Sequence, residues 1–279
     1  MLTLLRIEVF KIFKRPRTYI SFVAITIIVA LIQLAFSMDG ESYLRFGLQS
    51  VNDKFELNGR IINGYLVCFI ILQTLLIHVP LLITLVAGDL VAGEANMGTL
   101  RMLITKPVSR TTLILCKFIA SVIYTLLLLL WMAFLSLFVS ILIFGTDDLM
   151  IFRSDKAIIL REAEVPWRYL AAFGFAAIAM TTVASLALLM SVFAENSIGP
   201  IVATMAIIIV LTILTGMELP FFNSLKPYLF TRHMLGWKGF FNNPVNYSGV
   251  LKSAFILILH IFIFTGTAVI VFRKKDILS

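Results

Sequence analysis

Charge is what this sequence has least of. Asp, Glu, Lys and Arg together make up 14% of its 279 residues, against about 25% in an average soluble domain. The run from Ile61 to Val86 carries no formal charge, and neither does the run from Phe118 to Phe144. Hydrophobic residues reach 60%, and the mean hydropathy is +1.02. These values exclude an ordinary soluble enzyme. The period-two alternation of a membrane β-barrel strand is also missing, which leaves α-helical spans.

Other absences narrow the chemistry. There are two cysteines, Cys68 and Cys116. They fall in or beside apolar runs, so neither a disulfide framework nor a metal site is expected. No G-x-x-x-x-G-K-[ST] occurs, so no P-loop cradles a nucleotide, and H-E-x-x-H and G-x-S-x-G are missing too. An intramembrane enzyme built on His78 or His260 lacks a convincing second catalytic group. The net charge of +8 does not indicate nucleic acid. Its cations are scattered between apolar runs and concentrated at the two ends, as membrane orientation requires.

What remains is long apolar sequence. A bilayer takes about 20 apolar residues to cross. Six stretches qualify, at about 18–37, 61–88, 113–144, 167–193, 200–217 and 249–272. The expected fold is an all-α membrane protein: one transmembrane domain of six helices over 1–279. Arg6, Lys11, Lys14, Arg15 and Arg17 precede the first span, and Arg273, Lys274 and Lys275 follow the last. Both termini are therefore expected to be cytoplasmic. The apolar run after Arg17 is too long for a cleaved signal and reads as an uncleaved span. Residues 1–16 are expected to form an amphipathic helix in the cytoplasmic interface. Leu2, Leu5, Val9, Phe10, Ile12 and Phe13 lie on one side, with Glu8, Lys11, Lys14 and Arg15 mostly opposite. Pro16 ends it.

The external segments differ in character. Residues 38–60 are mixed and polar. Residues 145–166 hold Asp147, Asp148, Asp155, Glu162 and Glu164 and read as an acidic, solvated excursion. Residues 218–248 hold five phenylalanines, two tyrosines and Trp237 among three prolines. So aromatic a segment is either a headgroup-level belt or a loop that re-enters the outer leaflet. Within the spans, Gln33, Gln73, His78 and His260 are candidate pathway-lining residues. Satisfied interhelical hydrogen bonds are the alternative. Pro80 is expected to kink the second helix.

The cytoplasmic segment 89–112 contains MGTLRMLITKPVSR at residues 97–110. Gly93 and Gly98 are expected to break the helix leaving the membrane. Residues 99–105 can form a short helix with Thr99 as cap. Its apolar side would be Leu100, Leu103 and Ile104, with Arg101 and Lys106 set away. Pro107 ends the piece, Ser109 caps the next helix, and Lys117 is expected to snorkel from its first turns. A short amphipathic helix joining two long ones suits a groove on a soluble partner.

Glu94, Gly98-Thr99-Leu100, Leu103, Pro107-Val108-Ser109-Arg110 and Lys117 together resemble the cytoplasmic signature of type-2 ABC transporter membrane subunits. Cys116 stands where that signature has glycine. The resemblance implies that segment 89–112 is a coupling helix. Glu94, Gly98, Thr99, Leu100, Arg101, Leu103, Ile104, Pro107 and Arg110 would then dock a separate ABC ATPase subunit, which holds the ATP and Mg. It implies a second membrane subunit, identical or related, and re-entrant helices between spans five and six. It further implies export across a prokaryotic cytoplasmic (inner) membrane, with no cofactor on this chain and no enzymatic activity of its own. The rival reading is a non-transporting membrane scaffold or regulator that docks a cytoplasmic partner with the same helix.

Overall fold

The computed structural model describes residues 1–47, 62–104, 108–153, 156–217 and 224–275. The chain starts with α1 (Leu2–Lys14) and α2 (Pro16–Gly47). Next come α3 (Gly64–Ala87), α4 (Asp89–Asn96) and α5 (Thr99–Ile104). A long helix follows, made of α6 (Arg110–Ala133), a π-helical turn over Phe134–Val139, and α7 (Ser140–Phe144). Strands β1 (Leu149–Arg153) and β2 (Lys156–Leu160) then precede α8 (Val165–Phe193) and α9 (Ile198–Gly216). Last come α10 (Phe230–His233), a 3-10 helix over Met234–Phe241, and α11 (Tyr247–Lys274).

Five helices are long and apolar enough to cross a membrane, and six if the two halves of α3 form one span. The chain is therefore a multi-pass, helical membrane protein. α3 bends by 54° between Gly64–Leu75 and His78–Ala87. Pro80 accounts for the place, because its ring displaces the carbonyl four residues earlier, at Leu76. α2 continues through a break at Asp39 (φ −150°, ψ 39°) to Gly47, ten residues past the expected end of the span. The remainder of that expected loop lies outside the described residues.

α8 is the central helix. In its apolar window 78% of residues are buried, against 17% to 28% in the other four long helices. Its sequence explains the position. Seven alanines, with Ser185 and Ser191, leave little side-chain bulk, so α3, α6, α9 and α11 approach closely around it. The outer helices instead turn large apolar side chains outward, such as Leu31 on α2, Leu142 on α7 and Phe262 on α11. That is the reverse of a soluble surface and matches a lipid environment.

Both ends of the described chain lie at one end of the bundle, here called the base. Arg110 at the start of α6 donates from Nη1 to the carbonyls of Arg273 (3.0 Å) and Lys275 (2.8 Å). Lys275 Nζ in turn donates to the Val192 carbonyl (2.8 Å). Each cation caps a helix C-terminus whose last carbonyls lack intrahelical donors. The Met1 carbonyl lies 3.8 Å from Cys116 Sγ.

The opposite end corrects one expectation. Residues 145–166 are not merely a solvated excursion, because β1 and β2 pair antiparallel from Leu149↔Leu160 to Arg153↔Lys156. Leu149, Ile151 and Leu160 are buried against the bundle. The acidic residues flanking these strands masked a short alternation. The aromatic segment dips into the bundle. Phe230 packs on His260 and Phe264 of α11 at 5.8 and 5.9 Å. His260 lies thirteen residues into α11, about 20 Å along it at helical rise. The 3-10 helix then climbs back beside α11, with Trp237 and Phe241 buried. The segment therefore packs into the helical bundle rather than lying wholly at its end.

Candidate functional site

The base carries the densest polar chemistry among the described residues. It is built where α1, α4 and α6 meet. α4 follows α3 after a turn at Gly88, and its N-terminal N–H groups need acceptors. Ser191 Oγ of α8 supplies one, accepting from the N–H of Val91 (3.1 Å) and Ala92 (2.9 Å). Gly98, at φ +69°, turns the chain from α4 into α5, a conformation only glycine adopts without strain. Gly93 lies inside α4 and breaks nothing. Thr99 is the first residue of α5 and not the one before it, and its hydroxyl donates back to the Glu94 carbonyl (3.2 Å). Ser109 does cap α6, accepting from the Thr112 N–H at 3.1 Å.

Four charges lock these helices together. Lys117 Nζ lies 2.8 Å from Glu8 Oε2 and 2.8 Å from Glu94 Oε2. Lys11 Nζ lies 2.8 Å from the other oxygen of each carboxylate. Lys117 has no exposed surface, and Glu8 and Glu94 are almost as buried. The set is electrically neutral, as buried ions must be to persist. Beside it Asp89 pairs with both Arg15 and Arg17. Lys117 therefore does not snorkel. It points inward, because two carboxylates there outweigh access to water. Glu8 likewise sits on the packed side of α1, next to Ile12.

Burial would raise the carboxyl pKa of Glu94, but the adjacent Lys117 and Lys11 overcome this and hold it below its ordinary 4.5. Burial would lower Lys11, but its hydrogen bonds to Glu8 and Glu94 hold it above its ordinary 10.5. The signs fix the pH window. The depressed carboxyl contributes stability in full above 4.5 and loses it as pH falls through the folded value. The raised amine contributes in full below 10.5 and loses it as pH rises through its folded value. Melting of the purified protein in detergent is expected to show a plateau from about pH 5 to about pH 10 for this contribution, with losses on both flanks. A stability step near neutrality that Glu94→Gln removes would contradict this charge assignment.

The residues singled out from sequence fall into three groups. Glu94 is buried in the ion cluster, and Arg110, half-buried, clamps the end of α11. Leu100 is buried in the core, so it belongs to the anchoring side of α5 and not to a docking side. The side chains of Arg101, Leu103 and Ile104, and residue Pro107, lie outside the described residues. Among the described side chains the elbow exposes the apolar groups of Met97, Met102 and Val108, Met102 being 65% exposed. Among the candidate pathway residues, Gln33 is buried. Its Nε2 donates to the Leu135 carbonyl and to Ser140 Oγ, both at 2.9 Å, bracketing the π-helical turn. His260 Nδ1 meets the Ile256 carbonyl (2.8 Å), and its half-buried ring lies tilted or edge-on against Phe230 and Phe264. Gln73 and His78 remain exposed at the bend of α3.

Sequence reasoning missed Glu8, Lys11, Asp89 and Arg15 as a set. A signal existed: Glu8 is the sole acid before Asp39, and Asp89 and Glu94 are the sole acids between Glu56 and Asp147. Lone acids beside apolar spans and among cations call for partners. Among the described residues no group of three or more His, Cys, Asp or Glu could hold a metal ion. No curated protein matches the chain. Residues 26–278 match a family described as Protein of unknown function (DUF2705). That match runs from within α2 through α11, and the chain belongs to the DUF2705 family.

Proposed function

We propose that this chain is the membrane subunit of an ATP-driven exporter of the type-2 ABC class. It crosses a prokaryotic cytoplasmic membrane six times, counting bent α3 as one span, with its base in the cytoplasm. ATP is hydrolysed by a separate subunit. A second membrane subunit, identical or related, completes the pathway. The observation that carries the reading is the elbow. A six-residue helix, α5, hangs in the elbow between two long apolar helices, anchored inward by Leu100 and exposing Met102, with Met97 exposed just before it. The ion cluster ties its root, α4, to α1 and α6, so a push on α5 reaches three helices at once. Such a rigid lever suits a partner's groove. Two further points support the reading. No P-loop occurs in the sequence, so any ATP chemistry would be supplied by another chain. Gln73, Thr74 and His78 expose polar groups halfway along an apolar helix, where lipid alone would be a poor neighbour.

The test is Met102→Asp. A carboxylate in an apolar groove should cost the docking at least what truncating a central anchor does, about 2 kcal/mol. That corresponds to roughly thirtyfold weaker association. Insertion should be unaffected, because Met102 lies outside the spans. Co-purification of a P-loop ATPase with the parent, lost in Met102→Asp, is the expected result, together with ATP hydrolysis by the complex and none by the chain alone. Hydrolysis by the isolated chain would overturn the division of labour. A stable complex with no ATP-dependent movement of any solute would instead favour the scaffold reading.

A further inference from the structure

Where α1, α4 and α6 meet, the charges are sorted by sign. The acids there, Glu8, Asp89 and Glu94, are buried and paired. On α1 and the start of α2, Arg6, Lys14 and Arg17 lie along the exposed flank. Arg6 and Lys14 have no carboxylate partner among the described residues. Arg17 shares Asp89 with Arg15, so two guanidiniums meet one carboxylate and a positive charge stays uncompensated. Between these cations the same flank exposes Leu2, Ile7 and Phe10, with Lys14 Nζ 5.9 Å from the Phe10 ring centroid. Immediately beyond Lys14 an open apolar groove runs down α2, past Tyr19, Ile20, Val23 and Ile27. From Tyr19 to Ile27 is about 12 Å of helix.

We propose that this flank and groove bind an anionic phospholipid. Arg6, Lys14 and Arg17 hold its phosphate-bearing headgroup, and an acyl chain lies along α2. A soluble anion would use the cations and leave the groove empty. A neutral amphiphile would use the groove and leave the cations unmatched. An anionic lipid uses both, and basic residues beside a membrane attract such lipids. The inference needs only that the chain is a membrane protein, and it stands or falls separately from the transport reading.

The experiment uses the full chain in vesicles of phosphatidylcholine containing spin-labelled phosphatidylglycerol or spin-labelled phosphatidylcholine, and compares the protein-bound fractions. The parent is expected to prefer phosphatidylglycerol by more than tenfold. Arg6→Gln and Lys14→Gln should each lower that preference by up to about fivefold, and the triple variant with Arg17→Gln should lose it. The double variant Arg6→Gln/Lys14→Gln breaks no ion pair, so its loss cannot be blamed on misfolding. Persistent burial of Cys116 against maleimide checks the fold in every variant. Lys252→Gln, an exposed cation at the far end of the bundle, should leave the preference intact. Equal binding of both lipids by the parent, or an undiminished preference in the double variant, would overturn the proposal. So would displacement of the lipid by millimolar glycerol phosphate, which would mark a site for the phosphate group alone.

Discussion

Lys117→Met should destabilise the chain by about 3–5 kcal/mol, the cost of breaking a buried ion pair from one side. Lys117 is wholly buried and sits 2.8 Å from each of two buried carboxylates. Methionine fills similar space, so packing changes little and the missing charge dominates. Glu8 and Glu94 would then face each other across Lys11 alone, with one negative charge in excess in a site nearly closed to water. Lys11→Met should cost much less, because its ammonium is a third exposed and Lys117 would still bridge both acids. Two further outcomes separate the charge effect from generic damage. Lys117→Met/Glu94→Gln restores neutrality, with Glu8 paired to Lys11, and should recover most of the loss. In Lys117→Met the orphaned carboxyl has a folded-state pKa above its unfolded value. That variant should therefore gain stability as pH falls from 8 to 5, while the parent stays flat. Cys116 offers a direct local readout. It is buried where the Met1 carbonyl covers it, so release of α1 should let maleimide reach it. A Lys117→Met protein that melts like the parent and keeps Cys116 protected would show that the cluster does not hold α1.

The legible part of this structure is the part governed by hydropathy. The apolar runs became long helices, Pro80 bends α3, Ser109 caps α6, and Pro16 separates α1 from α2, each for a reason local to a few residues. What stayed hidden depends on which element meets which. Lys117 reads as a snorkelling cation when α6 is viewed alone. Its inward turn needs Glu8, more than a hundred residues earlier, and Glu94 from a third helix. Leu100 reads as half of a docking face, since i, i+3, i+4 spacing cannot say whether an apolar stripe meets a partner or its own bundle. The hairpin was obscured because Asp147, Asp148 and Asp155 dominate its composition while the alternation lies in two five-residue strands. The π-helical turn over Phe134–Val139 left no local mark. Its evident signature in the sequence is Gln33, a polar residue in a distant span whose amide brackets the turn.

The aromatic turn between α9 and α11 gives the second large effect: Trp237→Ala should cost about 3–5 kcal/mol, the range for deleting a buried large aromatic. Trp237 is fully buried. Its ring lies 5.6 Å from that of Phe69 on α3 and 5.8 Å from that of Phe241, and Phe241 packs 5.0 Å from Tyr169 of α8. Trp237 thus ties the turn to α3 directly and to α8 by way of Phe241. In lipid the loss arises mainly from the void and its missing contacts, since the surrounding acyl chains are as apolar as the core. Trp237→Phe keeps most of the contacts and should cost well under half as much. The indole N–H is no obstacle to that exchange, because Nε1 has no hydrogen-bond partner within the described residues. Position as well as stability should respond. The turn is also held at Arg168, whose Nη1 donates to the carbonyls of Phe240 (2.7 Å) and Asn242 (2.8 Å), and at His233, which bridges Ser253 and the Pro227 carbonyl. Those polar ties lie on either side of Trp237, so its loss should loosen the middle of the turn and leave its ends attached. A cysteine introduced at Gly236, which packs against Phe175 and Ser253, would test position but overfill its site. Leu235→Cys avoids that, because Leu235 is already exposed. In Trp237→Ala its labelling by a water-soluble maleimide should accelerate, while Trp237→Phe leaves the rate near that of the parent. Unchanged melting and labelling in Trp237→Ala would mean that the aromatic cluster does not hold the turn in the bundle.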